Sequence, residues 1–584
     1  MRDPDENEVP LKWESEGLIE APTWFGPEDR RQFGWLTLPS DGRASGVVVL
    51  CPPLAEEGRS TRRTFRELAR RLASRGIAVL RFDYYGLGDS AGCLDDVTDA
   101  EEWTESIRQA IEYGLSLGLP NLSIVGMRMG ATIAALATAK ASWRPKTLVL
   151  WDPCISGRRF LREQSLLHRT MRNLSRDVGD AAVETPGYVF SAEAASALRS
   201  VQLPAMAELP DGVPLLVLCR DDRPVPRETG RWEAGGARVA FVPGQEDLLD
   251  VPPLDAVVPE DTIDMIIEHV TGEMNGELMD ASALLRQEMF PLPGVRERVV
   301  SVGDGLFGIV GEPVGESTET TAIFFNVAIE SHVGPARLWV TLARRWASDL
   351  GLSSVRFDFS GVGDSPSLGS GAQDLLYASD WIDDADRVVL EMARSSKRVI
   401  GVGVCSGAYA ALESALRNDR VDVVAINPLL DTVEGALLKN RPGTIDRRRK
   451  AVREIPRALH PFVMAHHRIA EKGWRALQWV VPRLAAGSVI AAVIRRGGRV
   501  LLALTDEDAR AFDVNPYWRI RVRSWRRRHD LTRVDVPELD HPALVAAGRL
   551  ALVEELNRSL SALLRSGTRR AAEDELQATR REGV

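Results

Sequence analysis

Positive charge is in short supply in this chain. Against 83 Asp and Glu stand 73 Lys and Arg, a net charge of −10, whereas a protein built mainly to hold nucleic acid needs the opposite balance to neutralise phosphates. Cysteine is scarce as well: Cys51, Cys93, Cys154, Cys219 and Cys405 are all there is in 584 residues. An odd, scattered set without a CxxC pair makes neither a disulfide framework nor a metal knuckle, and it points to free thiols in a reducing cytoplasm. No His-rich cluster suggests a metal, and no motif calls for a cofactor. No apolar run reaches the roughly 20 residues of a membrane helix, and the acidic start over Met1–Pro10 lacks the apolar core of a secretory signal. What remains, 44% hydrophobic and 27% charged, is the composition of a soluble globular protein, long enough for two domains.

The chain repeats itself. Arg81-Phe82-Asp83-Tyr84-Tyr85-Gly86-Leu87-Gly88-Asp89-Ser90 returns 275 residues later as Arg356-Phe357-Asp358-Phe359-Ser360-Gly361-Val362-Gly363-Asp364-Ser365. An apolar, β-rich run precedes each copy, Val47 to Cys51 and Ala322 to Asn326, with a helical stretch between. Downstream, Leu122 to Gly126 and Arg398 to Gly403 read as buried strands, each followed by a helix of small apolar residues. Next come Leu148 to Pro153 and Val423 to Pro428, then an irregular insertion, then Leu215 to Leu218 and Val500 to Leu504. Strand, helix, strand in this order is the opening of a doubly wound, mostly parallel sheet. The pattern predicts one such domain over residues 1–275 with a helical lid at about 154–213. A second spans 295–565 with a lid at about 430–492, and a charged tail covers 566–584. The turns Gly86-Leu87-Gly88 and Gly361-Val362-Gly363 are not dinucleotide loops, because Asp-Ser follows where a third glycine entering a helix is required.

The strand-like runs Leu122 to Gly126 and Arg398 to Gly403 are each followed by a glycine-flanked residue that leads straight into a helix: Gly126-Met127-Arg128-Met129-Gly130 and Gly403-Val404-Cys405-Ser406-Gly407. This is the pattern of a nucleophile elbow, in which a strained residue stands between two glycines and in front of a helix N-terminus. Both halves resemble the α/β-hydrolase superfamily, in particular its serine-aminopeptidase-like branch and, more narrowly, the paired hydrolases associated with exosortase systems. The first half carries this resemblance through Pro53-Leu54-Ala55-Glu56-Glu57 and Trp151-Asp152-Pro153-Cys154-Ile155-Ser156-Gly157-Arg158. The second carries it through His332-Val333-Gly334-Pro335-Ala336-Arg337 and Val404-Cys405-Ser406-Gly407-Ala408. The resemblance implies two tandem α/β-hydrolase folds, and its cysteine-elbow members, such as dienelactone hydrolases, imply a thiol nucleophile at Cys405.

In the second half the remaining parts follow in the order of this fold. Thr505-Asp506-Glu507-Asp508 stands where its acid sits, with Asp508 favoured over Asp506, and His541 follows the last strand-like run. His541 would take the proton of Cys405, and Asp508 would orient the imidazole. The oxyanion N–H groups are expected from Ser406 and from the loop Val327-Ala328. The other reading of Cys405 is a small buried hydrophobe.

In the first half Arg128 takes the nucleophile position and has no lone pair to offer. Asp221-Asp222 keeps the acid position, and Gln245-Glu246-Asp247 stands where a histidine belongs. Arg128 is expected either to pair internally with Asp222 or Asp247, or to bind an anionic group. His332 either meets substrate or fixes its own turn. His460, His466, His467, Trp474 and Trp479 fall in the second lid, where they either line a pocket or pack. Arg447-Arg448-Arg449-Lys450 and Arg526-Arg527-Arg528 read as solvated faces. The expectation is a cytoplasmic hydrolase of a small-molecule ester or thioester. Acyl transfer by the same acyl-enzyme and a noncatalytic binding or scaffold protein are the alternatives.

Overall fold

The computed structural model describes residues 11–172, 182–282, 290–367, 379–419, 421–428, 486–514 and 530–582. The chain divides into two compact units, Met1–Leu292 and Pro293–Val584, and each is an α/β-hydrolase fold.

In the first unit the sheet strands are β1 (Trp13–Ser15), β2 (Leu18–Phe25), β3 (Gln32–Pro39), β4 (Val47–Cys51), β5 (Ala78–Phe82), β6 (Leu122–Met127), β7 (Leu148–Trp151), β8 (Leu215–Arg220) and β9 (Arg238–Val242). They lie in the order β1-β2-β3-β5-β4-β6-β7-β8-β9. The first three are antiparallel and β4 onward are parallel. Helices cover both faces, which is why the parallel strands read as unbroken apolar runs. Val47, Val49 and Cys51 turn to one face with Ile107, Ile111 and Ile133; Val48 and Leu50 turn to the other with Phe65, Leu68, Ile263 and Ile266. Between β7 and β8 the insertion folds as two helices, Gly157–Arg172 and Ala192–Ser200, with a small hairpin of Val183–Thr185 and Tyr188–Phe190.

The second unit repeats the plan with β10 (Val295–Val302), β11 (Leu306–Pro313), β12 (Thr320–Phe324), β13 (Ser353–Phe357), β14 (Arg398–Val404), β15 (Val421–Ile426), β16 (Val500–Leu504) and β17 (Leu531–Asp535). These run in the order β10-β11-β13-β12-β14-β15-β16-β17. Ala322 and Phe324 pack under Trp339, Leu342 and Trp346 of the helix Leu338–Leu350 and under Leu552, Leu556 and Leu560 of the last helix. That last helix, Ala546–Glu582, runs on through most of the expected tail. Of the second lid, only the stretch that opens the helix Ala486–Arg495 is described. His460, His466, His467, Trp474, Trp479 and the two basic clusters lie outside the described residues.

The repeated decapeptide is scaffolding in both units. Its first residue is a buried arginine on a buried glutamate: Arg81 lies 3.7 Å from Glu20, which also holds Arg66 and Arg70. Arg356 lies 2.8 Å from Glu297, which also holds Arg344. Its third residue closes the turn, as Asp83 Oδ2 accepts from the Asp89 N–H at 3.1 Å and Asp358 Oδ2 from the Asp364 N–H at 2.9 Å. The final serine hydroxyl donates to the carbonyl of that aspartate at 2.6 Å in each copy. The glycines of these turns serve the bend, since a Cβ on Gly88 or Gly363 would run into the carboxylate of Asp83 or Asp358.

Glu297 and Arg356 are almost wholly buried, so removing the carboxylate strands two guanidinium groups away from water. Glu297→Ala is therefore expected to destabilise the second unit by about 3–5 kcal/mol, read as a lower urea midpoint. An unchanged midpoint would mean that solvent reaches the two arginines.

Candidate active site

β14 ends and the helix Ser406–Arg417 begins at one residue, Cys405, whose backbone is bent to φ 51°, ψ −110°. Such a conformation is strained for any residue with a side chain, and the flanking glycines show why it persists. A Cβ on Gly403 would run into the Gly407 carbonyl group, and one on Gly407 would come within 2.7–2.9 Å of the Asn326 and Phe325 carbonyl oxygens. Strand, helix and loop can meet here only without side chains. The sharp turn leaves the Cys405 thiol partly exposed at the end of the sheet, with the first turn of the helix behind it.

The structure brings the three sequence-picked residues of this half together. β16 ends at Leu504 and β17 at Asp535; Asp508 lies in the first turn of the helix Asp506–Val514 that follows the one, and His541 in the loop that follows the other. His541 Nδ1 lies 3.2 Å from Asp508 Oδ2. Asp508 is itself held by Thr505, whose hydroxyl donates to the same oxygen at 2.9 Å and accepts from the Asp508 N–H at 3.0 Å. Asp506, the other candidate acid, is exposed. Burial works against charge on His541, but the hydrogen bond to Asp508 and the neighbouring Cys405 side chain outweigh it and raise the imidazole to about 10.

Of the expected oxyanion loop, Ala328 faces the elbow: its N–H donates to the Ser406 hydroxyl at 2.8 Å, with a backbone φ of 55°. The Val327 side chain packs into the core instead. His332 fixes its own turn. It is fully buried, its N–H donates to Asp358 Oδ1 at 2.5 Å, and its Nδ1 lies 2.8 Å from Asp358 Oδ2. His332, Asp358 and Asp364 lie close enough to share an ion. The Asp358 carboxylate, however, already accepts from the N–H groups of His332, Asn326 and Asp364, donors that a cation would have to displace. A second close set, Asp221, Asp222 and Glu246, is more exposed.

The first unit keeps the elbow and changes what stands on it. Arg128 has φ 55°, ψ −123°, the same bend as Cys405. Its guanidinium is buried and donates to Glu57 from Nε at 3.1 Å and Nη2 at 3.0 Å, to Asp152 from Nη1 at 3.1 Å, and to Glu163 from Nη2 at 3.1 Å. The expected internal pairing is present, but its partners are not Asp222 and Asp247. Buried Arg220 captures Asp222 at 2.7 Å, and Asp247 is exposed on the short helix Glu246–Leu249. Nor do the surroundings suit an anionic ligand, since three carboxylates already face the guanidinium. Burial pushes the Glu57 carboxyl up, against the pull of Arg128, and Arg159 shares Glu163 at 2.9 Å. The site is a cage of charges closed by the protein itself.

The structure adds Glu57, Asp152 and Glu163 to the first site and Asn427 to the second, and it gives Gln245, at the expected histidine position, a partner. Gln245 lies in the loop after β9 and donates to Asp152 at 2.6 Å. Asn427 Nδ2 donates to the His541 carbonyl at 3.0 Å. The signal was present: Asp152-Pro153 and Asn427-Pro428 end the same strand of the repeat, each a polar residue closing an apolar run.

Residues 42–197 match the family described as Serine aminopeptidase, S33, a stretch that includes the Arg128 elbow. No curated protein matches the chain. Among solved structures, the chain is similar to Est1E from Butyrivibrio proteoclasticus with ferulic acid bound, at 18% identity over 43% of this chain and 97% of that one, with a TM-score of 0.34. An esterase from Pyrococcus furiosus aligns at 14% identity over 44% of this chain and 91% of that one, with a TM-score of 0.32. A thioesterase domain from the curacin biosynthetic pathway aligns at 14% identity over 43% and 99%, with a TM-score of 0.29.

Two outcomes follow from the charges. Arg128→Met leaves three carboxylates facing one another and is expected to cost the first unit about 3 kcal/mol in chemical denaturation; a stability equal to wild type would show that the cage is wet. His541 is held above its unfolded value, so its contribution is complete below about pH 6.5 and lost as pH rises through about 10. The melting temperature of the second unit should fall more steeply between these limits in wild type than in His541→Gln. Parallel curves would remove the proposed pairing.

Proposed function

We propose that the second unit is a hydrolase that cleaves an ester or thioester of a small acyl compound through an acyl-Cys405 intermediate. The observation that carries this reading is one arrangement: a cysteine on a strained elbow, in front of a helix N-terminus, with a carboxylate-oriented histidine beside it. The sulfur attacks the acyl carbon, and the carbonyl oxygen takes the negative charge against the Ser406 N–H at the helix N-terminus. His541 passes its proton to the departing alkoxide or thiolate as the tetrahedral intermediate collapses, leaving a thioester on Cys405. Water attacks that thioester, giving a proton to His541, and the carboxylic acid leaves with Cys405 restored. The proton that His541 donates in the first step is the one it takes from the Cys405 thiol. Were an alcohol or amine to reach the intermediate before water, the same steps would transfer the acyl group.

The first unit is read as noncatalytic, because Arg128 cannot attack a carbonyl and its pocket is filled. Five cysteines without a disulfide among them support a cytoplasmic setting, and no described helix is long and apolar enough to cross a membrane.

The thiols provide the test. Burial drives the Cys51 and Cys154 thiols up, and Cys219 to about 12. Exposed Cys93 is the reference, although partial burial and Asp96 raise its thiol too. Peptide mass spectrometry after iodoacetamide treatment should find Cys405 alkylated faster than Cys93, with the lead lost in His541→Ala. A p-nitrophenyl ester or acyl thioester should be turned over by wild type and not by Cys405→Ala. Uniform labelling together with no turnover would sink the proposal in favour of a binding or scaffold role.

A further inference from the structure

Asn427 closes β15, the neighbour of the elbow strand. It is fully buried, with a backbone φ of 45°. Both ends of its side-chain amide are engaged. Oδ1 accepts the Thr505 N–H at 2.9 Å, and Nδ2 donates to the carbonyls of His541 at 3.0 Å and Asp540 at 3.3 Å. Thr505 caps Asp508, and His541 carries the imidazole that Asp508 meets. One planar amide therefore spans the acid turn and the histidine loop, the two segments whose spacing sets the His541–Asp508 contact. We infer that Asn427 is a positioning residue, holding His541 in register with Asp508 and Cys405 without touching the reacting atoms.

The first unit supplies an independent comparison. At the matching strand end Asp152 has φ 44° and accepts from Arg128 Nη1 at 3.1 Å and from Gln245 Nε2 at 2.6 Å. Gln245, like His541, belongs to the loop after the last strand of its sheet. In both units this strand end ties down that loop, and the residue type follows what must be held. Arg128 and Gln245 present donors, and a carboxylate receives them. The second unit presents two carbonyl oxygens and one N–H, and a carboxamide, able to donate and accept, meets both. An aspartate at 427 would set negative charge against two carbonyls.

The inference rests on the acyl-cysteine reading for its catalytic meaning, but its test has a readout free of turnover. Asn427→Asp keeps the acceptor for Thr505 and loses the donors; Asn427→Gly keeps the positive φ and loses the whole amide. In the full chain, isotope-labelled histidine lets NMR follow the His541 titration, with Asp508 and Cys405 the ionisable groups acting on the ring. Wild-type His541 should titrate near 10. In both variants, with melting and circular dichroism showing an intact fold, it should fall toward the ordinary value of about 6.5. In Asn427→Asp the added negative charge pulls the other way, so a fall there reports lost geometry. The kcat for the ester should drop on the order of 10²-fold with KM little changed, as when a reacting group is misplaced by an ångström. An unchanged titration in folded variants would overturn the inference. So would failure of both variants to fold, which would assign Asn427 to the architecture alone. A shifted titration in a chain whose wild type turns over no ester would uphold the positioning role while the acyl-cysteine reading fell.

Discussion

Everything at the end of each sheet depends on one strained residue at a strand-to-helix junction. Cys405 and Arg128 share a positive φ that costs on the order of 1–3 kcal/mol, and in each unit packing enforces it. The helix that follows is pressed against the loop after the first parallel strand so closely that only glycine fits beside the bend. The strain persists in the first unit, where the bent residue cannot act as a nucleophile. The bend thus belongs to the architecture, and the side chain standing on it decides whether chemistry is available.

The two units resolve the electrostatics of that position in opposite ways. In the first, a guanidinium buried at the bend draws Glu57, Asp152 and Glu163 around it, and all three of its nitrogens donate to them. Buried charge is tolerable only when paired, and pairing here closes the site. In the second, the charged partner is an imidazole whose Nδ1 side is taken by Asp508 and which couples to a partly exposed thiol. There the bend carries a partly exposed thiol in place of a buried charge. The same strand end, Asp152 or Asn427, serves both outcomes by changing one oxygen for one nitrogen.

Much of this was legible in the residues. Strands buried on both faces must be apolar throughout, so Val47 to Cys51 and Val500 to Leu504 announce themselves. Glycines that permit a close approach stand at fixed spacing around Arg128 and Cys405. A domain copied along the chain shows its plan twice, and the order of Cys405, Asp508 and His541 follows from that plan. These features are local in sequence: each depends on periodicity, on a missing side chain, or on succession along the chain.

What the chain could not show in one dimension is which polar groups meet. Arg128 is expected from the sequence to meet Asp222 or Asp247; folding gave Asp222 to Arg220 and turned Glu57, at the start of the first helix, toward the elbow. His332 could have faced a substrate; the turn that buries Asp358 beneath it decided otherwise. Asn427 looked like the end of a strand, and only the convergence of two loops on its amide made it a clamp. The sequence by itself determined the strands, the bend and the residue carried on it, because those depend on burial pattern and backbone sterics. The pairing of buried polar groups was decided by tertiary structure alone, because hydrogen bonds and ion pairs act over about 3 Å between residues that lie tens to more than a hundred positions apart.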